Sequence, residues 1–142
     1  MGERVAGELQ AMTLYVTDTH SLFWYLTASS HLSAKAKDAF DEGKQGLALI
    51  YVPAIVLAEL YYLNEKLGGA IDFADEYMRL SSSGQFVFLP LMPEEILEFE
   101  MDKAVTEMHD RMIVGAARRL GATLISKDQQ ITVSGLVPVV WR

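Results

Sequence analysis

No cysteine occurs among the 142 residues, which excludes disulfides, thiol nucleophiles and cysteine-ligated zinc or iron–sulfur sites. The absence is compatible with a reducing compartment. Cations are also in short supply: 12 Lys and Arg stand against 19 Asp and Glu, for a formal net charge of −7. That balance speaks against a broad basic surface of the kind that holds nucleic acid nonspecifically. Several acids gathered around a divalent cation would reverse the charge locally. No apolar run is long enough to span a membrane, and the longest, residues 47–58, is interrupted by Pro53. Residues 1–12 lack the cationic start and continuous apolar core of a signal peptide. Residues 1–11 read as an N-terminal extension, non-native or disordered, and Met12 is a candidate natural start. A soluble, cytoplasmic protein is expected.

What the chain does have is core material. Hydrophobic residues make up 51% of it, enough to exclude disorder and to fill one domain, residues 12–142. Leu14–Val16 is a first buried strand, because aromatic and β-branched side chains suit a pleated surface. Residues 21–27 form a short helix, and Ser33 caps a second over residues 34–42, closed by Gly43. Residues 47–52 read as a strand covered on both faces. Pro53 then suits the first position of a helix over 54–67, ended by Gly68-Gly69. A further helix over 70–81 precedes the strand Phe86–Leu89. Pro93-Glu94-Glu95 starts another helix whose acids, Glu94, Glu95, Glu98, Glu100 and Asp102, look solvated. Asp110–Leu120 is a helix, 123–126 a strand, and 137–141 an edge strand, since Pro138 cannot donate to a ladder. Strands alternating with helices imply a three-layer α/β/α sandwich around a mostly parallel sheet.

Four acids stand at comparable junctions. Asp18 ends the first strand, on the edge where open α/β sheets bind ligands. Glu59 interrupts an apolar stripe of Ile55, Val56, Tyr62 and Leu63, where an unpaired carboxylate is costly. Asp110 begins a helix and Asp128 follows a strand. Each alone is equally an N-cap or a salt-bridge partner. Together they offer the hard oxygen donors that Mg²⁺ or Mn²⁺ prefer, and a metal so held activates water against a phosphodiester. No Ser-His-Asp spacing or phosphate-cradling glycine loop competes. His20, His31 and His109 lack zinc-ligand spacing and read as structural or surface residues.

The motif-bearing segments are Val16-Thr17-Asp18-Thr19-His20-Ser21, Val52-Pro53-Ala54-Ile55-Val56-Leu57-Ala58-Glu59-Leu60, His109-Asp110-Arg111-Met112-Ile113-Val114-Gly115-Ala116-Ala117 and Leu124-Ile125-Ser126-Lys127-Asp128. In this order the chain resembles the PIN domain, and within it the VapC-type toxins of prokaryotic toxin–antitoxin pairs, over nearly all of residues 12–141. The resemblance implies a magnesium-dependent endoribonuclease that cuts RNA to inhibit translation, held in check by an antitoxin, and commonly a homodimer. It implies Asp18 and Asp110 as metal ligands, Glu59 and Asp128 completing the site directly or through water, and Ser126 as a small hydroxyl beside the metal. Arg111 and Lys127 are candidate phosphate contacts, or else ordinary surface ion pairs. A groove near Phe23, Trp24 and Tyr25 is the expected antitoxin seat, unless those rings are core.

Three rival readings are weighed against this one, the first two ranking low. A receiver-like magnesium domain would carry paired acids after the first strand and a late Lys-Pro, and a haloacid-dehalogenase-like phosphatase would carry an acid at position 20. This chain has Lys127-Asp128 and His20 there. A noncatalytic protein-binding module, its acids serving only as caps, is the alternative if the four carboxylates do not converge.

Overall fold

A computed structural model describes residues 12–142; the extension read for residues 1–11 lies outside them. In chain order the elements are β1 (Thr13–Thr17), α1 (Thr19–Leu26), α2 (Ala34–Lys44), β2 (Ala48–Pro53), α3 (Ala54–Lys66), α4 (Phe73–Ser82), β3 (Phe86–Leu89), a 3₁₀ segment (Pro93–Asp102), α5 (Met108–Leu120), β4 (Thr123–Ile125), α6 (Gln129–Ser134) and β5 (Val139–Val140). The five strands form one sheet in the order β3-β2-β1-β4-β5. Every pairing is parallel, so the expected α/β sandwich is present with a wholly parallel sheet. Val16, Ile50, Val52, Leu124 and Ile125 from the strands pack with Leu22, Phe40, Val56, Leu60 and Ile113 from the helices in a buried core.

The strand order fixes where a site can form. The chain steps outward from β1 to β2 and β3, then returns to the other side of β1 for β4. The carboxyl ends of β1 and β4 are therefore the topological switch point, where the flanking connections diverge and open a crevice. Register pairs Thr17 with Ile125, so the residues just beyond both strands emerge side by side.

Several expectations need correction: the helix read over 70–81 runs Phe73–Ser82, and the strand read over 137–141 is only Val139–Val140. Gly43 does not close α2, which runs to Lys44 and is capped by Gln45. Gly43 is instead buried where a Cβ would meet Gln85 Cγ at 2.8 Å and Ile50 Cδ1 at 2.9 Å. Pro53 ends β2 and precedes α3, one residue earlier than expected. The segment from Pro93 is a 3₁₀ helix, and its Asp102 is not solvated: it is buried and accepts from Arg118 Nε at 2.9 Å.

Candidate active site

β1 and β4 position the first pair of acids. Asp18 caps α1, one carboxylate oxygen accepting from Ser21 N–H at 2.9 Å. Its own N–H donates to the Ile125 carbonyl at 3.2 Å, locking the end of β1 to β4. Asp128 caps α6, accepting from Ile131 N–H at 3.1 Å, while its N–H donates to Ser126 Oγ at 3.1 Å. Each cap engages one carboxylate oxygen, and both residues line the same cleft.

Two helices bring the other acids. Glu59 lies two turns into α3, beside Ile55 and Leu63, and its oxygens accept from Thr19 Oγ1 at 2.7 Å and meet His109 Nδ1 at 3.0 Å. The costly unpaired carboxylate is thereby avoided. Asp110 is in the first turn of α5 but does not cap it. Glu107 takes that role, accepting from Asp110 N–H at 2.7 Å. The Asp110 side chain is left to the cleft. All four acids line one cavity of about 1070 Å³.

Its electrostatics follow from that crowding. Burial pushes the Asp18 carboxyl upward, opposed by the hydroxyls of Ser126 and Ser21 and the Ser21 amide. Asp110 is pushed up to about 6, first by burial and then by repulsion from Glu107, Asp128, Glu59 and Asp18. Residues from four separate segments thus act as one negative cluster, the situation a divalent cation relieves. Among the described residues no three Asp, Glu or His side chains already surround a single point. The donor set is hard oxygen, and it fits Mg²⁺ or Mn²⁺ in type, with the side chains spread around the cleft.

The remaining candidates divide. Lys127 lines the cleft, its Nζ 5.9 Å from the centre of the Trp24 ring. Ser126 is buried behind the carboxylates. Arg111 turns elsewhere: its Nε donates to the Val105 carbonyl at 2.7 Å, which anchors the start of α5. Phe23 is core and Tyr25 stacks on Phe40 at 4.4 Å, so only Trp24 of the three rings faces the cleft. Thr19 and Glu107 were not legible as site residues, and His109, read as structural or surface, instead meets Glu59 in the cleft. Thr19 and His109 do stand directly beside Asp18 and Asp110, and that adjacency was the available signal. His20 also lines the cleft, 5.5 Å from Trp24.

A wholly parallel α/β sandwich with four carboxylates at its switch point defines the class. Residues 15–133 match the model of the PIN domain, and the chain belongs to the PIN-domain family. No curated protein matches the sequence. Among solved structures, VapBC2 from Rickettsia felis bound to a DNA fragment from its promoter is similar, with a TM-score of 0.69, 14% identity, and coverage of 92% of this chain and 100% of that one. DNA-bound VapBC from Salmonella typhimurium aligns with a TM-score of 0.65 and 15% identity over 91% and 98% of the two chains. VapC20 from Mycobacterium tuberculosis, a toxin that cleaves the sarcin-ricin loop, aligns with a TM-score of 0.65 and 19% identity over 90% and 99%. At these identities the likeness is one of fold.

Proposed function

We propose that this chain is a metal-dependent endoribonuclease that hydrolyses RNA phosphodiester bonds as the toxin of a toxin–antitoxin pair. The observation that carries the reading is the convergence of Asp18, Glu59, Asp110 and Asp128 on one cleft in a PIN-family chain. Asp18 and Asp110 would hold the cation, Mg²⁺ in preference to Mn²⁺, with Glu59 and Asp128 completing its surroundings. When bound, the cation supplies an acidified water and charge stabilisation on the phosphodiester. Thr19 and His109 keep Glu59 oriented, and Ser126 orients the Asp128 backbone. Lys127, next to Asp128, offers its ammonium to a substrate phosphate. Arg111, committed to Val105, has no part in this contact.

The similar folds crystallised as VapBC pairs support a cognate antitoxin as partner, and a homodimer acting in the cytoplasm fits the same reading. Among the described residues no helix is long and apolar enough to cross a membrane. The test is cleavage of total RNA by purified protein in magnesium or in EDTA, beside Asp18→Asn. Cutting that requires the metal and vanishes in the variant is expected. Equal activity in both proteins would expose a contaminant. No cutting and no magnesium binding would return the noncatalytic module.

A further inference from the structure

One face of α3 continues past the carboxylates. Glu59, Tyr62, Leu63 and Lys66 are spaced three and four residues apart, so they stack on a single side of the helix. All four line the same cleft. Lys66 lies seven residues beyond Glu59, roughly 10 Å along the helix axis, and Lys127, beside Asp128, lines the same cleft. Two ammonium groups therefore share the cleft with the acids, in a protein whose net charge is −7.

Tyr62 is the unusual member of this face. It is 69% exposed, far more than a ring of its size needs to be on a helix that has a core to fill. Its orientation is nonetheless set: it meets Tyr61 edge to face at 5.4 Å and 89°, and Tyr61 meets Phe73 of α4 at 5.5 Å and 87°. An exposed aromatic ring one turn before a lysine offers the two elements that sites for single-stranded nucleic acid combine. The ring stacks a base of any identity and the cation meets the backbone.

Resting on the nuclease reading, we infer that the α3 face is a substrate subsite for single-stranded RNA. Tyr62 stacks a base beside the scissile linkage, and Lys66 contacts a phosphate other than the one at the carboxylates.

The test uses the full chain carrying Asp18→Asn, to prevent cutting, and a short fluorescent single-stranded RNA in magnesium. Affinity is followed by anisotropy over a range of salt. Adding Tyr62→Ala is expected to weaken binding about tenfold, the loss of one base–aromatic stack, and Tyr62→Phe to stay within about twofold. Lys66→Gln is expected to reduce the slope of log K against log salt by about 0.7, one phosphate contact on a single strand. Both side chains are exposed, and thermal melting of each variant confirms that the fold is intact. Unchanged affinity and slope, with the wild type still cutting RNA in magnesium, would overturn this subsite, assign the face to a protein partner and leave the nuclease reading standing. A Tyr62→Phe protein as weak as Tyr62→Ala would overturn stacking. If the parent does not bind RNA and the wild type does not cut it in magnesium, both readings fall.

Discussion

Asp110 is the residue on which the charge of the cleft is most visible. Its carboxyl is pushed up to about 6 from an ordinary 3.8, by burial and by four neighbouring acids. The shift is upward, so the folded chain holds this proton more tightly than the unfolded chain does. Its stabilising contribution is complete below about 4, the unfolded pKa, and is lost as pH rises through about 6. Without a divalent cation, the protein should therefore melt at a lower temperature at pH 7.5 than at pH 5. Asp110 is only half-buried and water screens it, so about 1 kcal/mol is the appropriate scale. Asp110→Asn should flatten this dependence in EDTA and raise the melting temperature at pH 7.5 by about 3 °C. A melting profile in EDTA that is identical for wild type and variant would show that the acids do not repel one another across the cleft.

At the scale of elements, stability is set by contacts that no local pattern announces. Gly43 lets α2 press onto β2 where a methyl group would strike Gln85 and Ile50. Gln85 cannot easily yield, because its amide donates to the Phe40 carbonyl at 2.8 Å. Gly43→Ala should thus lose about 1 kcal/mol in urea unfolding, the overpacking outweighing the gain in helix propensity. Arg118 of α5 holds the 3₁₀ segment through Asp102 and Glu98, and that pairing raises its pKa further. Arg118→Leu would strand the buried Asp102 carboxylate and should cost about 3 kcal/mol. Adding Asp102→Leu should restore much of that, so a double variant no more stable than the single one would refute the pairing argument. The same contacts explain what the sequence hid. In a 3₁₀ helix residues three apart eclipse, which aligns Glu95 and Glu98 toward Arg118 and Arg119. Those acids look solvated only if their partners, some twenty residues later, are ignored. By contrast β3 falls at 86–89 as read, and α3 ends just before Gly68-Gly69, because apolar runs and glycine stops are local signals. α6 has six residues with Ile131 its one buried side chain, too short to show a helical period. Asp18, Glu59, Asp110 and Asp128 could be picked out because their junctions are local. The His109 contact to Glu59 could not, because it depends on where α3 and α5 meet, whereas the Glu107 cap is a local feature hidden by placing the helix start at Asp110.

For the molecule as a whole, strand order converts four scattered acids into one electrostatic unit. Returning from β3 across β2 and β1 to β4 is what sets Asp128 beside Asp18, and α3 and α5 then close the cleft from the helix layers. A fold that assembles like charges carries a penalty in the empty cleft, and a cation binding only the folded state removes it while adding its own linkage. At about a hundredfold above its dissociation constant, that linkage is worth about 2.7 kcal/mol, or roughly 8 °C for a chain of this size. Magnesium should therefore raise the melting temperature of the wild type steeply and saturably. Asp110→Asn should begin higher in EDTA and then fail to respond, so the two curves cross as magnesium is added. Crossing is the signature of a carboxylate that destabilises the fold alone and stabilises it with metal, and a simple structural acid has no reason to produce it. Parallel curves, each rising with magnesium, would place the cation elsewhere on this acidic surface. Two flat curves would mean that the cleft does not take the ion at all.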